Sequence, residues 1–185
     1  ENRGSSVSTE IFPAIEKETI ALINYLVEVY NARIHLFPLQ AKRSTHKSIY
    51  IDDYATAKEI QRQTCYPSKC TVYKGFESVD TFVQVARNLD LMIGMRLHSL
   101  ILSAGLGIPV FAISYDPKVT SFMEEIGQSR HTIELKNFNH NRLISYIQEV
   151  LDNPKYHQKS VLEGITSYRY RRKIVKQALI SFFDD

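Results

Sequence analysis

Short apolar runs alternate with segments of helical periodicity along most of this chain. Leu91 to Met95 is one such run, and it stops abruptly at Arg96-Leu97-His98. Pro109 to Ser114 is a second, stopping at Tyr115-Asp116-Pro117-Lys118. Apolar runs of this length, bounded by polar and turn residues, predict buried strands. The residues between them, from about Leu97 to Gly105, predict a helix closed by Gly105-Leu106-Gly107. Upstream, Ile15, Ile20, Ile23, Leu26, Val27 and Tyr30 recur at helical spacing and predict an amphipathic helix of about four turns. Pro13 suits its first turn and Asn31 its end. Arg33 to Pro38 reads as a short strand, and the basic, Ser/Thr-rich Gln40 to Tyr50 as a loop, as do the first nine residues. Asp52 and Asp53 open a second helix through Thr64, their charge lying near the positive end of the helix dipole.

Cys70 to Tyr73 predicts a weak strand. Ser78 caps a helix from Val79 to Asn88, with Phe82, Val83, Val85 and Ala86 as its packing face. Further on, Val119 to Ile126 is a short helix ended by Gly127, and His131 to Leu135 is a short strand or edge segment. Asn141 to Leu151 is a helix with Leu143, Ile144, Ile147, Val150 and Leu151 on one side. After Pro154, Lys155 to Phe183 reads as a long basic helix. Strands alternating with helices of about ten residues describe a Rossmann-like α/β fold, a parallel sheet with helices on both faces. The expected division is a domain over 1–155 and a helical tail over 156–185. That tail packs either on the domain or on an N-terminal domain outside the chain.

Composition narrows the function classes. A formal charge of +3 over 185 residues is too mild for nucleic-acid binding and compatible with small anions. No apolar stretch approaches the roughly 18–20 residues that span a bilayer. Leu89 to Ser114 comes nearest, but Arg96, His98, three glycines and a proline break it. Cys65 and Cys70 lack the further ligands of a zinc site and read as ordinary thiols. No metal is called for. The chain starts at Glu1 without Met, so an excised domain is expected.

The chemistry gathers where the two apolar runs end. In open α/β sheets ligands bind just beyond the carboxyl ends of the strands. A planar guanidinium there, Arg96, can grip a carboxylate or phosphate with two parallel hydrogen bonds, beside backbone N–H groups that also favour anions. His98 can donate to the same anion or act as a general acid or base. A structural ion pair for Arg96 and a satisfied core position for His98 are the plain alternative. An idle charge between two buried runs would be costly. Lys118 can add positive charge, and Gly75-Phe76-Glu77-Ser78, also between a strand and a helix, can line the same cleft. Ser103, Ala104, Gly105 and Gly107 allow close helix–sheet packing. Arg169-Tyr170-Arg171-Arg172-Lys173 reads as a solvated helix face, with docking onto a partner domain or an acidic membrane surface as the alternative.

The stretch Asp90 to Ala104, followed by Gly107-Ile-Pro-Val and Ser114-Tyr-Asp-Pro-Lys-Val, resembles the polysaccharide pyruvyl transferase family. It is similar in particular to the branch acting on cell-wall and exopolysaccharide glycans. The resemblance reaches over roughly residues 7–155. It implies the C-terminal, Rossmann-like half of a fold of the GT-B type, preceded by a facing N-terminal domain and an opening apolar strand. It implies transfer of a pyruvyl group from phosphoenolpyruvate, as donor substrate and without a cofactor, to two hydroxyls of a sugar, giving a ketal. The acceptor would be a cell-surface glycan or its lipid-linked precursor. Arg96 and His98 map to the donor-binding arginine and histidine, with His98 as the acid. With the strand-end residues, the expected substrate-binding set is Arg96, Leu97, His98, Ser114, Tyr115, Lys118, Gly75 and Glu77. The expected location is the cytoplasm, with peripheral contact to the inner membrane face. Two other readings fit the same architecture: a nucleotide-sugar glycosyltransferase or epimerase domain, and a non-catalytic scaffold in which Arg96 pairs internally.

Overall fold

The computed structural model describes residues 11–38, 53–75 and 78–183. The loop readings for the first nine residues and for Gln40 to Tyr50, and the positions of Asp52 and Glu77, lie outside the described residues. The chain divides into two compact units, one of residues up to Thr81 with Phe138–Ile144, the other of Phe82–Asn137 with Ser145 onward. Both contain parallel strands with helices around them, so the fold is the expected Rossmann-like α/β type. The strands form two small sheets.

In the first unit, α1 (Ile11–Tyr30) leads to β1 (Ile34–Leu36), and α2 (Asp53–Gln63) leads to β2 (Cys70–Val72). β1 and β2 pair in parallel, Ile34 opposite Cys70 and Leu36 opposite Val72. Strand side chains alternate between faces, so Ile34, Leu36 and Cys70 share one face. That face packs on Ile23 and Val27 of α1 and Ile60 of α2. Asn31 ends α1 in the left-handed region, at φ 52°, a conformation Asn tolerates better than most residues. From there the Asn31 and Ala32 N–H groups donate to the Val27 and Leu26 carbonyls, at 3.0 and 3.3 Å. Glu18 accepts from the His140 backbone N–H at 2.9 Å and meets its Nδ1 at 2.6 Å. Those bonds hold the Glu18 carboxyl below its usual range. Ser78 caps α3 (Val79–Ala86) as expected, accepting from the Thr81 N–H at 3.2 Å while Thr81 Oγ1 accepts from the Ser78 N–H at 3.2 Å.

The second unit holds β3 (Met92–Gly94), α4 (Leu97–Gly105), β4 (Val110–Ser114), α5 (Pro117–Glu125), β5 (Thr132–Glu134) and α7 (Pro154–Phe183), with the part of α6 (His140–Asp152) from Ser145 onward. β4 is the central strand of the β3-β4-β5 sheet. All five of its residues are buried, which explains why it reads as a continuous apolar run without alternation. α6 buries Leu143, Tyr146, Ile147 and Val150. Leu151, expected on that side, is exposed, because the i, i+3, i+4, i+7 stripe runs through Tyr146 instead. The Tyr146 ring packs on Phe111 at 5.3 Å, and its hydroxyl donates to the Val110 carbonyl.

The glycines at 105 and 107, expected to let a helix approach the sheet, instead face the helix α7. Ser103 and Ala104 are fully buried. A Cβ on Gly105 would lie 3.0 Å from the Arg169 guanidinium, and one on Gly107 3.0 Å from Leu162. The basic run is therefore only partly a solvated face. Arg169 reaches the end of α4, and Arg171 donates to the Glu125 carbonyl at the end of α5. Both cations sit where the helix dipole is negative. Arg172 lies over the Tyr168 ring, 5.2 Å from its centroid.

Candidate functional site

β3 and β4 run parallel with Gly94 level with Ala112. Carried forward two residues, that register puts Arg96 level with Ser114, so both strands release their chains at one edge. α4 and α5, each of nine residues, start at that edge. Their first backbone N–H groups have no partner within the helix, and their dipoles are positive there.

Each expected residue of the second unit has a defined place at this edge. Arg96 is the N-cap residue of α4, half-buried and extended at φ −91°, ψ 125°. Its Nη1 donates to the Tyr115 hydroxyl at 3.1 Å, and its guanidinium carbon lies 5.8 Å from the centre of the same ring. The structure thus joins Arg96 and Tyr115, nineteen positions apart, as one unit. Leu97 is half-buried in the first turn of α4, and His98 is exposed beside it. Lys118 is exposed in the first turn of α5, where its backbone N–H donates to Asp116 Oδ1 at 2.9 Å. That bond makes Asp116 the N-cap of α5, with Pro117 in its first turn.

Ser114 faces inward. It is 6% exposed; its hydroxyl donates to the Asp116 carbonyl at 3.1 Å and pairs with Thr120 Oγ1 at 2.8 Å. These bonds brace the turn after β4. Gly75 belongs to the other unit. Its φ of +116° demands glycine, although a Cβ there would meet nothing within 4 Å. Glu77 lies outside the described residues.

Two supporting residues escape the sequence reading. Ser99, buried, donates its hydroxyl to the Arg96 carbonyl at 2.7 Å, fixing the backbone from which the guanidinium extends. Thr120 holds Ser114. The only sign of either is a small hydroxyl residue within a turn of a helix start, a pattern shared by many positions without a role. Gly94 has a packing reason of its own: a Cβ there would come within 2.9 Å of Leu100 and 3.0 Å of Ser99.

Arginine, a neighbouring hydroxyl, a lysine and two helix N-termini at one sheet edge make an arrangement suited to a small anion with more than one charged group. Comparison with known proteins places the chain in a family. The Amylovoran biosynthesis protein AmsJ of Erwinia amylovora is 26% identical over 122 residues, which is 66% of this chain and 27% of that protein. The chain thus corresponds to little more than a quarter of that relative's length. No solved structure matches the chain. The model of the family described as polysaccharide pyruvyl transferase matches residues 2–117, short of the expected reach to residue 155. A match over well more than half of the chain, enclosing both strand ends with Arg96, His98 and Tyr115, makes this chain a member of the polysaccharide pyruvyl transferase family.

Proposed function

We propose that this chain carries the donor site of an enzyme that transfers a pyruvyl group from phosphoenolpyruvate to two hydroxyls of a sugar in a cell-surface polysaccharide or its lipid-linked precursor. The observation that carries the reading is the Arg96–Tyr115 pair at the shared edge of β3 and β4, beside the start of α4 and inside the family match. Phosphoenolpyruvate bears a phosphate and a carboxylate. A guanidinium can take either in bidentate fashion, and unpaired helix N–H groups suit the other.

In this reading the donor's methylene carbon takes a proton, leaving an oxocarbenium-like C2. One sugar hydroxyl adds to C2 and loses its proton. Phosphate departs with the electron pair of its C–O bond, and the second hydroxyl then closes the ketal, losing its own proton. One proton ends on the new methyl group and the other on phosphate, so the exchange balances without an added reagent. His98, exposed in the first turn of α4, is proposed as the acid. Arg96 and the N–H groups of Leu97 and His98 hold the anion, and Lys118 adds positive charge. A facing N-terminal domain would bring the acceptor, and a cytoplasmic setting would supply the donor. The domain over 1–155 with its tail over 156–185 is the proposed organisation. Among the described residues, no helix is long and apolar enough to cross a membrane.

Calorimetric titration with phosphoenolpyruvate tests the reading. The chain binds the donor, and Arg96→Ala weakens binding about 10- to 100-fold, as expected for one charge-assisted contact, without lowering the melting temperature. Stabilisation by UDP-sugars but not by phosphoenolpyruvate would instead mark a nucleotide-sugar enzyme. A stability loss in Arg96→Ala with unchanged ligand binding would mark a scaffold.

A further inference from the structure

We infer that Tyr115 is the positioning residue for Arg96: it sets the plane of the guanidinium and adds its own O–H as a donor to the bound anion. The inference rests on the donor-site reading above and goes beyond it by assigning how the arginine is held.

The backbone on either side of Tyr115 is locked. Ser114, before it, is turned into the protein and bonded to Asp116 and Thr120. Asp116, after it, is tied to the Lys118 N–H, and Pro117 has its φ fixed by its own ring. Between these anchors the Tyr115 ring is 43% exposed. What the ring meets is Arg96, through the hydroxyl at 3.1 Å and through its face, with the guanidinium carbon 5.8 Å from the centroid.

That double contact has two chemical consequences. An arginine side chain has four rotatable bonds and about 2 kcal/mol of rotamer entropy to lose on binding, and a ring already in contact with it takes up part of that loss beforehand. The tyrosine oxygen accepts from Nη1, so its own hydrogen is directed away from the guanidinium. A phosphate or carboxylate oxygen placed beside Arg96 can therefore receive an N–H from the arginine and an O–H from the tyrosine. Ser99, bonded to the Arg96 carbonyl at 2.7 Å, steadies the other end of the same side chain. Guanidinium, phenol and backbone then form a preorganised clamp.

Tyr115→Phe is the variant that tests this, because it keeps the ring and removes only the oxygen. Two readouts are taken on the same protein: phosphoenolpyruvate affinity by calorimetry, and the Arg96 guanidinium signals by ¹⁵N NMR. Tyr115→Phe is expected to weaken donor binding about 5- to 10-fold, the range of a single net hydrogen bond. It should also collapse the separate Arg96 Nη signals into an averaged one, with the melting temperature unchanged. Wild-type affinity in Tyr115→Phe, or an unaltered Arg96 spectrum alongside weakened binding, overturns the inference. Arg96→Ala separates that failure from failure of the donor reading. If Arg96→Ala loses phosphoenolpyruvate while Tyr115→Phe keeps it, only the role of Tyr115 falls. If wild type does not bind phosphoenolpyruvate, or Arg96→Ala binds it as wild type does, the donor reading falls and this inference with it.

Discussion

Replacing Gly164 by alanine separates helix propensity from packing, and the two push in opposite directions. In an isolated helix the change stabilises by about 1 kcal/mol, because glycine loses the most backbone freedom on folding. Here a Cβ on Gly164 would overlap the Ile126 carbonyl oxygen and lie 2.9 Å from its carbon and 3.2 Å from the Ile126 Cα. Ordinary contacts to carbon are about 3.5–4.0 Å, and the overlapped oxygen is nearer still, so α7 would have to retreat from the end of α5 by roughly 1 Å or more. The obstacle is backbone, which cannot rotate aside. A retreat loosens the buried Val161, three positions before the contact, and Ile165, one position after it, and stretches the 3.0 Å bond from Gln128 to Ser160. Overpacking of this kind costs about 1–3 kcal/mol, and part of the burial of two β-branched side chains adds to it. The expected net loss is about 2 kcal/mol, equivalent to a fall of about 4–8 °C in melting temperature for a chain of this size. Urea unfolding followed by circular dichroism measures it. Glu163→Ala, on the exposed side of the same turn, serves as the control and should stay within about 0.5 kcal/mol of wild type. A Gly164→Ala protein as stable as wild type, or more so, would show that α7 does not dock through this glycine.

Stability should fall with acid because of His131. Its Nε2 accepts from Arg130 Nε at 2.8 Å, and its Nδ1 lies 2.7 Å from Gln128 Oε1, which fixes the neutral ring with the proton on Nδ1. Burial, Arg130 and His157 push its pKa down to about 4; Tyr146 and Glu149 are the other groups around it. The unfolded chain binds that proton near pH 6.5, so stability is full above that value and declines as pH drops from about 6.5 towards 4, by about 3 kcal/mol in all. Urea midpoints from pH 7 to 4.5 measure the slope, and His131→Gln should flatten it; identical slopes would reject the assignment. Asp116→Ala removes the α5 N-cap and should cost about 1 kcal/mol, seen as a lower urea midpoint, and no change would mean the 2.9 Å bond contributes nothing. Tyr146→Phe leaves the buried Val110 carbonyl without its hydroxyl partner and should cost about 1–2 kcal/mol in the same assay.

Much of the site lies in short stretches of sequence, which is why it can be read there. An apolar run that ends in Arg96 or Tyr115 marks a strand end whatever the rest of the chain does, since burial of the run and exposure of its end follow from local character. Helix limits at Gly107 and Gly127, and the Ser78 cap, are legible for the same reason: φ angles of +76° and +70° and a capping hydroxyl are local demands. The inward turn of Ser114 is different. Nothing near it distinguishes a hydroxyl that braces a turn from one that meets a ligand, because the choice depends on Thr120 across the turn. Tyr146 takes the buried place expected for Leu151 because both fit a helical stripe, and the surface offered by Phe111 decides between them.

The amino-acid sequence by itself determines the alternation of strand and helix, the parallel α/β class and the placing of Arg96 and Tyr115 at strand ends, since periodicity and turn chemistry act over a few residues. Tertiary structure alone decides that these two side chains meet. The β3–β4 register sets Arg96 level with Ser114 and so beside Tyr115, nineteen positions away along the chain, and no local pattern encodes a register. It also decides that Gly164 must be glycine and that Arg169 and Arg171 close helix ends. Those requirements arise only when α7 lies against α4 and α5, where distance through space replaces distance along the chain.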